Sequence, residues 1–464
     1  MQRCRTYPDP PEFRWDPKVV HAACALLGWK ALSLTEIDEA LSTGNAASID
    51  QAFKSYLESS FKKDQHGFLT WAFKQAFDKD SAEASQTAKR WVELSPDSAF
   101  ALTARGTQLV AAAWGARGQE LSVDTPSKNF RLMEKLAGEA VDAFQAALKR
   151  SPRMITAYYG LIRAAQLVSD QDLVSEASAE ALKLDPADHL IYDSWFDAVK
   201  PKWGGSNALM LAVVTTATRH VDENPLIARV AGRLPCVQAD PLYVDDDRQR
   251  LALYRVAAAT VPVLCFLVHA GDTAELVGKD DVSVVRYFSQ SYRFLRDDHS
   301  ILRRALALQR MGRREWAIES IDDLLQREPN KTEALLYKGW VLEGNDKLVE
   351  AEATFLQVIE IDPLNREAST ELVHLYAHGL NQREKAIQIV ERLKTASRPR
   401  AWLLAAVLDG KDENAKCREN LQKYLDLVAG EPIDDYEQRD IDRAKQQLLE
   451  FDKQLASPPQ EKSS

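Results

Sequence analysis

The sequence predicts an all-α protein, a helical solenoid in two arrays joined by an irregular helical connector. Three observations predict it. Prolines recur at a fixed interval: Pro152 and Pro186 stand 34 residues apart, as do Pro329 and Pro363. Pro96, Pro152, Pro329 and Pro363 each follow an alanine by 12 residues, namely Ala84, Ala140, Ala317 and Ala351. Apolar residues then recur at helical spacing, as in Ala140, Phe144, Ala147; Ala317, Ile321, Leu324; and Ala351, Phe355, Val358. Such a period marks stacked helical hairpins. The small residue lets two helices approach, the larger residue a turn later fills the remaining space, and the proline ends the helix. No segment shows the strict alternation expected of a strand.

The opening helices of these units follow one pattern. Phe68, Trp71 and Ala72 precede Ala84; Leu102, Gly106 and Leu109 open the next unit; Tyr158 and Leu161 follow Pro152. Ile301, Ala305 and Leu308 precede Ala317, and Leu335, Gly339 and Leu342 precede Ala351. Bulky, bulky, small, bulky, then Ala, aromatic, Ala, Pro resembles the tetratricopeptide-repeat-like superfamily over most of 65–230 and 298–400. That resemblance implies helix pairs whose first helices line a concave groove, and a function in holding a protein or peptide.

Taken in order, residues 1–18 read as an extended N-terminal arm. Residues 19–230 form the first array, with 19–64 a degenerate opening repeat that sets Phe53, Tyr56 and Leu57 on one face. Residues 231–297 fit the repeat poorly and form the connector, with helices over 248–269 and 282–296. The second array covers 298–430, residues 431–456 are a polar capping helix, and 457–464 ("SPPQEKSS") a disordered tail.

The first array breaks its period twice. Pro96 to Pro152 spans 56 residues and contains "WGARG"; Pro186 to Pro225 spans 39 and contains "KWGGS". Both read as loop insertions between the two helices of a repeat, which in a solenoid emerge on one edge. In this order they resemble a mostly bacterial family, a domain of unknown function, with W-x-x-R-G and P-R-W-G-G-S elements. Trp114, Arg117 and Gly118 match the first; Pro201, Trp203, Gly204, Gly205 and Ser206 match the second, with Lys202 in place of arginine. This resemblance covers roughly 90–225 and implies no activity.

Composition removes several function classes. A net charge of −10 argues against a nucleic-acid backbone binder, which needs a basic face. The apolar run Ala257–Val268 is short for a bilayer and contains Pro262. Asp9, Glu12 and Asp16 precede the first apolar stretch, unlike a signal peptide, and no membrane association is expected. The five cysteines are scattered and form no CxxC pair, so neither a disulfide framework nor a cysteine zinc site is expected, and a reducing, cytoplasmic setting suits them. No phosphate-binding glycine loop, zinc-protease or nucleophile-elbow motif occurs. The expected protein is therefore not an enzyme and carries no cofactor or metal.

The remaining candidates are local. "WGGS" offers Gly204 and Gly205 amides at a helix start with Ser206 as cap, either to hold an anion or simply to turn the chain. Asp245–Asp247 suit a helix N-terminus better than a calcium loop, whose ligands alternate. His374 and His378 stand at i, i+4 with only Glu371 near as a third ligand. The basic stretch Arg303–Arg314 is offset by Glu315, Asp322 and Asp323. The tetratricopeptide resemblance places Tyr159, Arg163 and Gln166 in the groove of the first array. In the second it places Leu302, Leu306, Gln309, Arg310, Leu336, Trp340, Glu343, Thr370 and His374 there. Leu302 and Leu306 occupy the positions where carboxylate-gripping repeats carry Lys and Asn, so that mode is disfavoured in the second array. The expectation is a non-catalytic interaction scaffold. The alternative is a small-molecule sensor or enzyme on the Trp114–Gly118 and Lys202–Ser206 edge, where Arg117, Asp124 and Lys202 supply no clear base.

Overall fold

A computed structural model describes residue 4 and residues 13–118, 125–239, 244–278, 280–294, 297–409, 414–430 and 435–456. Most of the N-terminal arm, the tail 457–464 and Asp124 lie outside the described residues. Every regular element among the described residues is helical. The chain divides into two compact units, Met1–Arg296 and Asp297–Ser464.

In the first unit, α1 (Pro17–Leu26), α2 (Leu34–Ser42) and α3 (Ala46–Ser60) open the stack. Hairpins follow: α4 (Phe68–Phe77) with α5 (Ala82–Leu94), α6 (Ala99–Arg117) with α7 (Ser127–Arg150), and α8 (Ile155–Leu167) with α9 (Gln171–Leu184). Next come α10 (His189–Ala198) with α11 (Asn207–Thr218), α12 (Ala228–Gln238) with α13 (Asp247–Thr260), and α14 (Leu264–Val277) with α15 (Asp281–Phe294). Each helix from α2 to α15 packs on a sequence neighbour, while α1 packs on the short turn Pro225–Ile227. The first helices α4, α6, α8, α10 and α12 also pack on one another in succession, which makes them the inner layer.

The small-and-large pairing of the repeat is physical. A Cβ on Gly106 would lie 2.6 Å from the Phe144 ring, and one on Gly160 would overlap the same ring. Phe144 thus wedges between two successive first helices that only glycine lets approach. Ala84 and Ala140 beneath the crossings are fully buried. The same device appears where the sequence shows no repeat: a Cβ on Gly271 of α14 would lie 2.7 Å from Phe288 of α15. The stretch read as an irregular connector therefore contains a hairpin of the same construction.

Two further expectations change. Phe13 and Trp15 of the supposed arm are buried, in a core with Tyr254, Ala257, Phe266, Tyr287 and Phe294. The Trp15 indole N–H donates to the Ala258 carbonyl at 2.7 Å and the Arg14 N–H to that of Ala259 at 3.0 Å. Cys4 and Cys24 form a disulfide, contrary to the expectation that the scattered cysteines stay reduced; Cys236, Cys265 and Cys417 are free. The pairing depends on where Cys4 is set against α1, which no spacing rule encodes.

The second unit contains α16 (Asp298–Arg310), α17 (Arg314–Leu325), α18 (Thr332–Glu343), α19 (Leu348–Ile361) and α20 (Arg366–His374). A π-helical turn, Leu375–Gly379, leads on to α21 (Arg383–Thr395), α22 (Arg400–Asp409), α23 (Asn414–Val428) and α24 (Asp435–Ala456). Here Gly339 lies under Phe355 as Gly106 lies under Phe144. Ile441, Ala444 and Phe451 of α24 pack on Cys417, Leu421 and Tyr424. No helix among the described residues is long and apolar enough to cross a membrane.

Candidate functional site

The inner layer of the first unit encloses a cavity of about 320 Å³. Helix α4 supplies Lys74; α8 supplies Tyr159, Arg163 and Gln166; α10 supplies Asp193, Ser194 and Asp197; α12 supplies Arg229 and Arg233. Tyr159, Arg163 and Gln166, the groove positions expected from the sequence, thus share one wall. Helical spacing explains this: residues three and four apart on one helix face the same side.

Asp188 starts α10. Its Oδ1 accepts the Leu190 and Ile191 N–H groups at 2.8 and 3.4 Å, while its Oδ2 is buried without a partner. Burial, reinforced by the neighbouring Asp185 charge, pushes the Asp188 carboxyl up to about 7. Asp185 is paired with His66 at 2.9 Å, and that hydrogen bond raises the imidazole above its usual range.

The cavity is bound together by ion pairs. Asp78 Oδ2 accepts from Arg163 Nη1 at 2.7 Å and from Lys74 Nζ at 3.2 Å. Lys74 also donates to the Tyr159 hydroxyl at 2.8 Å. Burial works against the Asp78 charge, but the Arg163 and Lys74 cations outweigh it and hold the carboxyl below its usual range. On the far wall, Asp197 Oδ1 accepts from Arg233 Nη2 at 2.5 Å and Lys200 Nζ at 2.6 Å, and Asp193 Oδ1 from Arg233 Nη1 at 3.3 Å. Burial again opposes the charge, and Arg233 with Lys200 holds Asp197 at about 2. Among the described residues Arg229 forms no ion pair, and its Nε is buried with no hydrogen-bond partner. The Ser194 hydroxyl, on a side chain 6% exposed, is likewise buried without a partner. Lys74, Asp193, Asp197, Arg229 and Arg233 escape sequence reasoning. Lys74 and the α10 and α12 residues stand at the inner face of first helices, so carrying the repeat register through the degenerate units would have found them.

The two insertions meet. Trp114 and Trp203 pack edge to face, with ring centroids 5.3 Å apart and planes at 88°. Trp114–Arg117 is the last turn of α6, not a loop; the first insertion lengthens α6 and α7 to 19 and 24 residues. Ala113, Met133, Ala137 and Leu167 make a small separate core there. Gly118 ends α6 with φ +69°, and the Arg117 guanidinium donates to Thr125 Oγ1 at 3.2 Å and lies 5.7 Å from the Phe130 ring. In "KWGGS", Gly204 takes φ +85°, and a Cβ on Gly205 would overlap the Val199 carbonyl. Ser206 Oγ caps α11 by accepting the Leu209 N–H at 3.2 Å. Glycines and serine are thus used by the turn and the cap. Gln171 Nε2 fastens the turn by donating to the Trp203 carbonyl at 2.7 Å.

In the second unit Leu302 and Leu336, expected in the groove, are buried in the core instead; Leu306, Gln309, Trp340, Glu343, Thr370 and His374 are half-buried and Arg310 exposed. The Tyr337 and Trp340 rings stand 5.1 Å apart. Burial pushes the Glu343 carboxyl up; it does the same to Glu371, where the Trp340 indole favours the charge and Glu343 opposes it. Arg400 Nε donates to Thr370 Oγ1 at 2.9 Å and its Nη1 to Asp440 at 2.6 Å. The His374 and His378 rings are 6.0 Å apart across the π-helical turn, and no group of three metal-ligating side chains exists among the described residues. Asp246 caps α13 by accepting the Gln249 N–H at 2.8 Å.

No family model matches the chain. Over 72 residues it is 36% identical to human "FK506-binding protein-like", an alignment covering 16% of this chain and 21% of that protein. The chain therefore matches about a fifth of that relative's length. Among solved structures, the tetratricopeptide domain of P58(IPK) is similar at 12% identity with a TM-score of 0.23, covering 71% of this chain and 99% of that one.

Proposed function

We propose that this protein is a non-catalytic scaffold that holds a protein or peptide partner on the inner faces of its helical repeats. The observation that carries this reading is the cavity of the first unit, built by four first helices and presenting side chains that packing leaves unsatisfied. Fold alone assigns no function, so the reading rests on that site. In the second unit Trp340, Glu343, Gln309, Arg310 and His374 form the corresponding surface, where an aromatic beside charged groups suits an anchored contact. The Trp114–Trp203 contact fits a structural role better than a sensing or catalytic one: each ring fills space against the other, and Arg117 already has Thr125 and Phe130 as neighbours. The same contact is what the two motifs of the bacterial family resemblance would be kept together for. The Cys4–Cys24 bond suits an oxidising compartment and weighs against the cytoplasmic location expected from cysteine usage.

Quantitative capture from the native cell tests the scaffold reading, comparing wild type with Trp340→Ala/Arg310→Ala and with Tyr159→Phe/Gln166→Ala. Partners lost selectively by either double variant, at unchanged fold, support it. Identical recovery from all three proteins contradicts it.

A further inference from the structure

The cavity of the first unit is rich in donors and poor in acceptors. Four cations line it, Lys74, Arg163, Arg229 and Arg233, with Lys200 behind Asp197; the carboxylates are Asp193 and Asp197 in the lining and Asp78 behind Arg163, so cations exceed carboxylates by two. All three carboxylates accept from cations already. Among the described residues that line it, the side-chain groups buried without partners are Arg229 Nε and the Ser194 hydroxyl, each able to donate. Among the described residues no acceptor is found for the Arg229 guanidinium, and its Nε is buried without a partner. Ser194 is 6% exposed, and its hydroxyl is buried without a partner. The Tyr159 hydroxyl receives the Lys74 hydrogen bond and so has its own proton to give. Buried polar groups are normally satisfied, and an unpaired one costs about 1–3 kcal/mol, so unsatisfied donors converging on one cavity point to a ligand that supplies acceptors.

We propose that this cavity binds a phosphoryl group, with Arg229 as the charge partner and Ser194 and Tyr159 as hydrogen-bond donors. A phosphate monoester carries a charge of about −1.5 to −2 at neutral pH and three acceptor oxygens, which matches both the charge surplus and the donor set. An isolated carboxylate matches only half the surplus. The Asp78 and Asp197 pairs hold Arg163 and Arg233 in place, so the site is preorganised before the ligand arrives. The assignment rests on reading the inner face as the binding surface, and names the chemistry that surface takes in the first unit. The phosphoryl group has two sources, a phosphorylated side chain of a partner or a small phosphorylated metabolite.

Calorimetric titration of the full chain with inorganic phosphate, O-phosphoserine and acetate tests it. Saturable binding of phosphate and phosphoserine is expected, with acetate weaker by about tenfold or more, a difference of about 1.4 kcal/mol. Arg229→Gln should weaken phosphate binding by about tenfold and Ser194→Ala by a few-fold, with unchanged helical content. Lys202→Gln, an exposed cation outside the cavity, should leave it unchanged. Tighter binding of phosphoserine than of phosphate assigns the source to a modified partner; equal binding assigns it to a free phosphate compound. No saturable binding by either phosphate probe, acetate binding as tightly as phosphate, or binding indifferent to both Arg229→Gln and Ser194→Ala would overturn the assignment. Such a result leaves partner capture through the inner face standing, since that is read with different variants.

Discussion

The two units are built by one packing rule and differ in what their inner faces do with charge. In both, an aromatic from a second helix presses on a first-helix glycine: Phe144 on Gly106 and Gly160, Phe355 on Gly339. On the first unit's face, carboxylates are locked by cations and a guanidinium is left over. On the second, burial pushes Glu343 and Glu371 toward their neutral forms, and the Glu343 charge adds to this at Glu371. A repeat thus fixes helix placement through its small and large positions, while positions outside that code are free to set the chemistry of the face.

The shared rule is broken most severely at the aromatic. Phe144→Ala should destabilise the first unit by about 3–5 kcal/mol, because the cavity opens beneath two crossings. Phe355→Ala, beneath one crossing, should cost the second unit less. Hydrogen exchange resolved along α6–α8 and α18–α19 measures both, and equal losses would refute the double wedge.

The charge contrast is next. Arg163→Met leaves the largely buried Asp78 with Lys74 alone and should cost about 2–3 kcal/mol. Lys338→Met removes a more exposed pair with Asp322 in the second unit and should cost at most about 1 kcal/mol. Denaturant unfolding separates the two, and similar costs would show that the first unit's network is no more than surface pairing.

Asp188 sharpens the comparison through pH. Its folded pKa, about 7, lies above that of the unfolded chain, so its stabilising contribution is full below the unfolded value and is lost as pH rises through about 7. Asp188→Asn keeps a capping side chain but has no charge to bury. The variant should therefore gain on wild type from pH 4 to above pH 7, by about 1 kcal/mol or more. A stability difference independent of pH would contradict the burial of that charge. Trp203→Ala removes the edge-to-face contact with Trp114, and loss of that contact should cost about 0.5–1.5 kcal/mol in thermal unfolding.

Much of this was legible in residue spacing. Ala84, Ala140, Gly106 and Gly339 announce their roles because a helix crossing tolerates only small side chains, and Tyr159, Arg163 and Gln166 fall on one wall because helical periodicity puts them there. Three features were not legible. The Gly271–Phe288 hairpin lacks the alanine and proline that mark its neighbours. Trp15 reaches Ala258 across 243 positions, a contact with no local signature. The Trp114–Trp203 pair joins two motifs whose common edge could be expected, while their touching depends on α6 running on to Arg117. Arg229 and Ser194 were hidden for another reason: what sets them apart is the absence of a partner, and absence is not written in sequence.

The most direct test of the central claim is hydrogen–deuterium exchange of the full chain with and without a partner captured from the native cell. The inner-face account predicts that protection gained on binding falls on α4, α8, α10 and α12, around Lys74, Tyr159, Ser194 and Arg229, or on α16, α18 and α20 around Gln309, Trp340 and His374. Protection confined to the second helices α5, α7, α9 and α11, or to the Trp114 and Trp203 turns, would contradict it.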